Sequence, residues 1–260
     1  MKILFIAPDL NLTSSTASLY HLLRFVRNRQ HQVALLTPGG PLLPEFAALG
    51  LPLWQVPFQN HWFLDMFHVN RFRAPLSAWG PDLVHVYHPA CAGFGGELAR
   101  VTGKPYILTV HHAIEEGKTL ALSSTLPAAI LTVSQAAREN LVNEARAPKS
   151  LISVVPHAVD LEIFSPVPRG DIMSPEGKIL TLGGLGRLEP VRGYKYLIEA
   201  CRKLADQGLR FQLFLAGEGS EESRLRQLVE ELDLQEEVTF LPLRTLHYAV
   251  LFAVGGGETP

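Results

Sequence analysis

The chain has 260 residues, of which 47% are hydrophobic and 18% are charged, a balance typical of globular proteins that bury a large core. Its formal net charge of -2 gives no general basis for binding nucleic acid or an anionic membrane. The two cysteines, Cys91 and Cys201, are far apart in the sequence, so neither a disulfide framework nor a zinc site is expected.

The N-terminal segment MKILFIAPDLN predicts a buried strand and not a signal peptide, because its apolar run is short and ends at Pro8. No apolar run in the sequence approaches the roughly 18 residues that a membrane-spanning helix needs. We therefore expect a cytoplasmic protein, with peripheral contact at the inner face of the membrane as an open alternative.

Short apolar runs rich in Ile, Val, Leu and Phe alternate along the chain with segments of helical periodicity. The runs predict strands at residues 2–7, 32–37, 53–58, 83–88, 106–111, 129–134, 152–156, 178–183, 211–217 and 237–242. Because these runs are apolar almost throughout, they indicate strands that are covered on both faces, as in parallel sheets.

Three of the intervening segments carry the same apolar pattern, at positions i, i+3, i+4 and i+7. They are residues 19–26, 197–204 and 225–232. Each predicts a helix that lays one apolar face on a sheet. Strands that alternate with such helices predict an α/β fold with doubly wound parallel sheets.

The segment FSPVPRGDIMSPEG, residues 164–177, is rich in Pro, Gly and Ser and has no periodicity, which is typical of a linker. Seven of the predicted strands precede it and three follow it. The sequence therefore predicts a Rossmann-like domain at residues 1–165, a linker at 166–177, and a second, incomplete Rossmann-like domain at 178–260.

Seven segments together resemble, in order, the motifs of the retaining nucleotide-sugar glycosyltransferases of the GT-B fold, family 4. They are QHQVALLTPGGPLLPEFAALGLPL, PDLVHVYH, GKPYILTVHH, AAILTVSQAARENL, VVPHAVDLEIF, GGLGRLEPVRGYKYLIEA and FQLFLAGEGSEESRLRQL. The resemblance extends from residue 1 to about residue 241. It implies a first domain on the acceptor side and a second domain that binds the nucleotide-sugar donor.

The segment GGLGRLEPVRGYKYLIEA resembles the family motif GRLxxxKGxxxLIEA. The resemblance implies that Gly186, Arg187 and Arg192 bind the donor diphosphate, on which negative charge builds as the glycosidic bond breaks. Arg192 stands where the family usually has Lys, which keeps the charge but changes its geometry. The alternative is a pair of solvated arginines beside an ordinary strand-to-helix turn.

His111 ends the predicted strand 106–111, and the resemblance places here a family histidine that faces the transferred sugar. Its implied role is to orient the sugar and to stabilise developing charge. The neighbouring His112 is an alternative for that role, and a structural, hydrogen-bonded histidine is the other alternative. Structural roles are favoured for His85, His88 and His157, of which the last stands where the family often has Asn.

Two further turns are candidate donor contacts. Gly217 and Glu218 close the predicted strand 211–217, and the resemblance places this turn near the nucleotide. Ser14 and Ser15 replace a family Gly pair in the first strand-to-helix loop. Their hydroxyls, with those of Thr13 and Thr16, could contact a phosphate, but capping of the following helix is the favoured interpretation.

Residues 58–73, FQNHWFLDMFHVNRFR, mix five aromatic residues with Arg71 and Arg73. The favoured interpretation is a helix that packs its aromatic side chains on the first domain. The alternative is a basic amphipathic helix at the membrane surface.

The resemblance ends after residue 242. The family continues with a Glu-x₇-Glu element that contacts the sugar and the ribose, whereas the remaining sequence holds a single glutamate, Glu258. We therefore expect a second domain with three of its roughly six strands, all on one side of the point where the strand order reverses. A frameshift or premature stop is our hypothesis for this tail, and reading the downstream DNA in all frames tests it.

The resemblance implies a retaining glycosyltransferase that moves a sugar from a nucleoside diphosphate sugar to a lipid, polysaccharide or small-molecule acceptor. No metal or other cofactor is expected, because protein cations would serve the diphosphate. Two alternatives stay open, namely a catalytically inactive truncated fragment that acts as a binding module, and a sugar-nucleotide epimerase of the same fold. A dinucleotide oxidoreductase is disfavoured, because no G-x-G-x-x-G motif follows the first strand.

Overall fold

A computed structural model describes residues 1–57, 62–114, 120, 122, 125–158, 161 and 179–242, and for residues 62–67 the backbone alone. The chain divides into two compact units, Met1–Val159 and Asp160–Pro260. The linker predicted at 166–177 and the tail that contains Glu258 lie outside the described residues.

The first unit is built on a sheet of seven parallel strands. They are β1 (Lys2–Ile6), β2 (Gln32–Thr37), β3 (Leu53–Gln55), β4 (Leu83–Val86), β5 (Tyr106–Val110), β6 (Ala129–Thr132) and β7 (Ile152–Val154). Their spatial order is β3-β2-β1-β4-β5-β6-β7, so the order reverses between β1 and β4. All seven strands predicted for this part of the sequence are present, and the doubly wound α/β fold is confirmed.

Helices connect these strands and cover the sheet. They are α1 (Ser14–Asn28), α2 (Leu43–Ala48), α3 (Trp62–Trp79), α4 (Ala92–Thr102) and α5 (Gln135–Asn143). On α1 the predicted apolar stripe faces the core, with Leu19 and Leu23 fully buried. The middle strands are apolar on both faces because helices lie on both sides of the sheet, as the near-continuous apolar runs indicate.

The aromatic segment 58–73 contributes the first two thirds of α3. Phe72, with Val69 and Leu76 from the same helix, joins the core of the first unit, whereas Arg71 and Arg73 are exposed. The described side chains of this segment therefore pack as the ordinary-helix interpretation expects. Residues 58–61 lie outside the described residues.

The core of the first unit contains one buried polar pair at its centre. His85 of β4 is hydrogen-bonded through Nε2 to the Thr109 hydroxyl of β5 at 2.7 Å, and its ring packs against Phe5 at 4.9 Å. Burial, with a smaller repulsive contribution from His111, lowers the pKa of His85 to about 3. The neutral imidazole is therefore the form that the folded unit stabilises.

The second unit holds the other three strands, β8 (Leu180–Leu185), β9 (Phe211–Ala216) and β10 (Val238–Leu241), with helices α6 (Tyr194–Asp206) and α7 (Glu222–Glu231) between them. The strands are parallel in the order β10-β9-β8. Within the described residues, this sheet consists of consecutive strands that run outward in one direction, as the sequence predicts.

The buried face of α6 differs from the predicted stripe by a rotation of about one residue. Tyr194, Ile198 and Cys201 are its buried residues, at i, i+4 and i+7, whereas Ala200 is exposed. The apolar pattern 197–204 includes Cys201, with Leu197 and Leu204 packed beside the core, but it omits Tyr194. That aromatic residue begins the helix and directs its ring into the core of the second unit.

The connections that follow β8 and β9 touch each other directly. The Gly186 amide donates to the Ala216 carbonyl at 3.0 Å, and the Leu188 amide donates to the Glu218 carbonyl at 3.0 Å. A Cβ at Gly217 would lie 1.8 Å from the Gly186 carbonyl oxygen, a distance that no side chain tolerates. Glycine is thus required at position 217 so that the two connections can lie side by side.

The buried His85 makes the first unit sensitive to acid. Between pH 6.5 and about 3 the unfolded chain binds a proton at His85 that the folded unit does not, so the free energy of unfolding falls as the pH falls. At pH 5 the loss is on the order of 2 kcal/mol. Urea unfolding at pH 7 and pH 5 measures it, and the three tryptophans, all in residues 54–79, report this unit by fluorescence.

In His85→Leu we expect the free energy of unfolding to change less between pH 7 and pH 5 than it does in the wild type. Thr109→Val is the matched control, because it removes the hydrogen-bond partner and keeps the titrating ring. If the free energy of unfolding changed with pH as much in His85→Leu as in the wild type, His85 would not be the source of the acid sensitivity.

The contact between the two connections predicts a specific effect of Gly217→Ala. The added methyl group forces the connections apart, at a cost of about 1–3 kcal/mol. We expect the Gly186 and Leu188 amides to exchange with deuterium about tenfold faster or more. Gly208→Ala is the control for backbone strain without a clash, since Gly208 has a φ of 73° and a Cβ there meets nothing within 4 Å. Unchanged protection in Gly217→Ala would show that this contact does not hold the connections together.

Candidate functional site

Polar side chains gather at the carboxyl edge of the seven-stranded sheet. Tyr87 directly follows β4, and His111 directly follows β5. Since β4 and β5 are parallel neighbours, both residues leave the sheet at the same edge and lie next to each other. In doubly wound sheets this edge is where ligands bind, beside the point at which the strand order reverses.

His111 is buried but leaves its polar atoms free. The residue is 6% exposed, and neither ring nitrogen has a hydrogen-bond partner in the part of the chain that the structure describes. Its ring lies 4.6 Å from that of Tyr87 and 5.4 Å from that of His157, with only 3° between the two imidazole planes. Buried polar groups are normally paired, so an unpaired pair of nitrogens indicates atoms held for a ligand.

The surroundings of His111 favour its neutral form. Burial, followed by the charges of His157, His112 and His88, lowers the pKa of His111 to about 4, while the Tyr87 backbone carbonyl opposes this shift in part. A neutral imidazole has one donor and one acceptor nitrogen. His111 can therefore both give and receive a hydrogen bond, which suits a hydroxyl-rich ligand better than an anion.

The two candidate serines of the first loop belong to the beginning of α1. The N-cap is Thr13, whose hydroxyl accepts the Thr16 amide at 3.2 Å. Ser15 contacts the Thr13 hydroxyl at 3.0 Å, and Ser14 is the first helical residue and is exposed. The cap is thus Thr13, one of the four hydroxyl residues that the sequence offers for it, and helix capping is how this loop is used.

Ser18, one turn further along α1, has a part that the sequence analysis missed. Its hydroxyl accepts from the Tyr87 hydroxyl at 3.1 Å and contacts Nδ1 of His157 at 3.2 Å. Both of these partners touch the ring of His111. Only the position of Tyr87 after β4, parallel to that of His111 after β5, could have indicated this cluster from the sequence.

In the second unit, the candidate cations lie on the connection from β8 to α6. Gly186 and Arg187 directly follow β8, and Arg192 ends a short 3-10 turn, Pro190–Arg192. Gly193 then adopts a φ of 72°, a left-handed conformation that glycine favours, and α6 begins at Tyr194. Both arginines therefore lie between the carboxyl end of a parallel strand and the N-terminus of a 13-residue helix.

Arg187 is exposed and is held by a neighbouring carboxylate. Its Nη2 donates to Glu189 at 3.1 Å, and its side chain is 63% exposed. The Ser220 hydroxyl donates to the other Glu189 oxygen at 2.8 Å. Hydrogen bonds from Ser220, and less strongly the charge of Arg187, lower the pKa of the Glu189 carboxyl. Glu189 thus joins the β8–α6 connection to the turn before α7.

Gly217 and Glu218 have structural roles in the second unit. Gly217 is buried against Gly186, and Glu218 supports the same connection through its backbone carbonyl while its side chain is exposed. The structure therefore brings Gly186, Arg187, Gly217 and Glu218 together in the second unit. His111, Ser14 and Ser15 lie in the first unit.

The β8–α6 connection combines three features that attract an anion. It carries two exposed guanidinium groups, precedes the free amides of a helix N-terminus, and lies at the carboxyl edge of a parallel sheet. Helix N-termini and arginine together favour phosphate groups. This arrangement could neutralise a phosphate or diphosphate without a metal ion.

Two further findings concern membranes and metal ions. Among the described residues, no helix has the length and apolarity needed to cross a membrane. In the same part of the chain, no three His, Cys, Asp or Glu side chains are grouped so as to hold a metal ion.

Comparison with protein families gives two matches along the chain. Residues 16–163 match the family model described as Glycosyltransferase Family 4, and residues 174–247 match that of Glycosyl transferases group 1. A D-inositol 3-phosphate glycosyltransferase of Mycobacterium marinum is 30% identical over 175 residues, which are 63% of this chain and 34% of that protein. The 2-deoxystreptamine glucosyltransferase of Streptomyces kanamyceticus is 26% identical over 62% of this chain and 48% of its own length. The chain thus spans less than half the length of these two curated relatives.

Solved structures share the fold at lower identity. Anabaena HepE, solved in complex with UDP-glucose, is 17% identical, with a TM-score of 0.72 over 95% of this chain and 70% of its own. A glycosyltransferase from Rickettsia africae is 15% identical, with a TM-score of 0.77 over 98% of this chain and 71% of its own. With the first family model matching residues 16–163, more than half of the sequence, the chain belongs to glycosyltransferase family 4 and has the GT-B fold.

Proposed function

We propose that the chain is a retaining glycosyltransferase that transfers a sugar from a nucleoside diphosphate sugar to a hydroxyl-bearing acceptor. The observation that carries the proposal is the position of Arg187 and Arg192 on the β8–α6 connection, at the N-terminus of α6. A leaving diphosphate gains negative charge as the glycosidic bond breaks. Fixed cations at that place stabilise the transition state more than the bound substrate.

In this proposal each candidate residue has a distinct part in the reaction. Arg187 and Arg192 would bind the diphosphate, together with the amides at the start of α6. Gly186 and Gly217 shape the connection that carries Arg187. Glu218 supports this connection through its carbonyl and is a weaker candidate for a nucleotide contact.

His111 would orient the transferred sugar through its ring nitrogens, which are buried in the free protein. Because its pKa is lowered to about 4, it is a neutral hydrogen-bonding group near pH 7 and not a cation. A retaining reaction in which the acceptor enters on the side of the leaving group needs such positioning more than it needs a strong base. Ser14 and Ser15 are the first residues of α1, beside its Thr13 cap, and we assign them no part in the chemistry.

Uridine is the nucleoside we favour, because the solved HepE complex contains UDP-glucose. The acceptor class, whether lipid, polysaccharide or small molecule, and any contact with the membrane surface stay predictions from the resemblance. Isothermal titration calorimetry with UDP, GDP and ADP tests donor binding directly. We expect one of them to bind with a Kd between roughly 1 μM and 1 mM, and no binding by any would contradict the proposal.

Removal of either guanidinium should weaken nucleotide binding. Hydrogen bonds to charged groups contribute about 1.5–3 kcal/mol, so Arg187→Ala and Arg192→Ala should each raise the Kd of the nucleoside diphosphate about 10- to 100-fold. Arg210→Ala is the matched control, because Arg210 precedes β9 and therefore lies at the opposite edge of the same sheet. An equal loss of affinity in all three variants would indicate a general charge effect and contradict the assigned site.

The residue type at position 192 gives a finer test. If Arg192 acts through its charge, Arg192→Lys should bind the nucleoside diphosphate within about threefold of the wild type, since Lys is also a phosphate ligand. If Arg192 acts through a two-pronged contact, Arg192→Lys should resemble Arg192→Ala. The resemblance to a motif with Lys at this position favours the first outcome, which the same titration measures.

A further inference from the structure

The ring of His111 is surrounded by side chains that hydrogen-bond to one another and not to it. Tyr87 and His157 both contact the ring, and both are joined to the Ser18 hydroxyl. These four residues come from α1, the ends of β4 and β5, and the segment after β7. The cluster therefore ties together chain segments that are 139 residues apart at its widest contact.

Ser18 joins the two ring partners of His111. The Tyr87 hydroxyl donates to the Ser18 oxygen at 3.1 Å. The Ser18 hydroxyl lies 3.2 Å from Nδ1 of His157, and the tautomer of His157 decides which of the two atoms donates. The hydroxyl proton of Tyr87 is therefore used within the cluster and is not directed at His111.

The contacts with His111 fix its plane and not its hydrogen bonds. The imidazole of His157 lies parallel to it within 3°, with the ring centres 5.4 Å apart, and the Tyr87 ring lies 4.6 Å away at an angle of 57°. Stacked and tilted ring pairs of this kind restrict rotation of the rings. The two ring nitrogens stay unpaired in the described part of the chain.

We propose that Tyr87, Ser18 and His157 form a bracket that sets the ring orientation of His111, the histidine to which the proposed function assigns the transferred sugar. His157 is thus a positioning residue, and Ser18 positions it in turn. The inference rests on the proposed function for its sugar ligand, but the bracket itself is a property of the free protein. A ring held in advance in its reacting orientation reduces the cost of reaching the transition state.

Several titratable groups face this cluster. Tyr87 and His88 follow β4, His112 follows His111 on the chain, and His85 lies deeper in β4. With His157 they are the titratable neighbours of His111 in the described residues, and His88 in turn faces Asp9. A change in the state of His111 must therefore be read from its own resonances and not from a pH profile of activity alone.

The test begins without any donor. Two-dimensional NMR of the histidine rings, in the full chain, follows the chemical shift and titration of His111 in the wild type, Ser18→Ala and His157→Ala. Loss of the stacked ring should raise the apparent pKa of His111 above its value of about 4, toward 6.5, because the charge of His157 is the second-largest cause of the lowering. Ser18→Ala keeps every ring and should shift the His111 resonances in the same direction by a smaller amount.

Two control variants distinguish loss of the bracket from a general disturbance of the fold. His31→Ala removes a histidine at the opposite edge of the sheet and should leave the His111 resonances unchanged. His157→Phe restores a flat ring without Nδ1, so it should recover the ring contact but not the bond to Ser18. His111 resonances that are the same in Ser18→Ala and His157→Ala as in the wild type would overturn the bracket.

Kinetics of sugar transfer then test its role. We expect His157→Ala to lower kcat about tenfold and to leave the KM for the nucleotide sugar within about twofold, with part of the loss recovered in His157→Phe. An unchanged kcat in His157→Ala would overturn the positioning role. If the wild type transfers no sugar at all, the proposed function fails, and the NMR comparison still decides whether the bracket exists.

Discussion

Every candidate residue in this protein depends on one constraint, namely that parallel strands joined by helical crossovers all end at the same edge of their sheet. The first sheet therefore brings Tyr87 and His111 together, although 23 residues separate them in the sequence. The second sheet brings the connections after β8 and β9 into contact in the same way. Polar residues that would be unrelated in another topology become neighbours, and the apolar strands behind them form the two cores.

The two units carry sites of different electrostatic character. The first offers a buried histidine whose surroundings keep it neutral, since three other histidines and burial oppose its protonation. The second offers exposed arginines whose charge is permanent, one of them anchored by Glu189. The first arrangement suits hydroxyl groups and the second suits phosphate, which are the two chemical parts of a nucleotide sugar.

The sequence was sufficient to predict the ten strands, their alternation with helices and the parallel arrangement, because buried parallel strands need long apolar runs. It was less sufficient for the face of α6, where Tyr194 belongs to the core and the simple apolar period omits it. The cap of α1 is Thr13 and not Ser14 or Ser15, because several adjacent hydroxyl residues could serve and only the backbone geometry selects one.

Some residues of the candidate site could be predicted from nearby sequence, whereas others are brought together only by the fold. Arg187, Arg192 and His111 could be named from local motifs, since each directly follows a strand or precedes a helix. The Ser18–His157 contact could not, because it joins α1 to a segment beyond β7 and depends on how the whole sheet is wound. Likewise Gly217 is a candidate ligand contact in the sequence, and only the structure shows that its close approach to Gly186 also requires glycine for packing.

The central claim is that a nucleoside diphosphate binds to the connection between β8 and α6. NMR of the arginine Nε–H groups during titration of the full chain with UDP tests it most directly, because each arginine gives its own signal. The account predicts that the signals of Arg187 and Arg192 shift together and saturate with one Kd, while that of Arg210 does not move. Saturable shifts confined to other arginines, or no shift at Arg187 and Arg192, would contradict it.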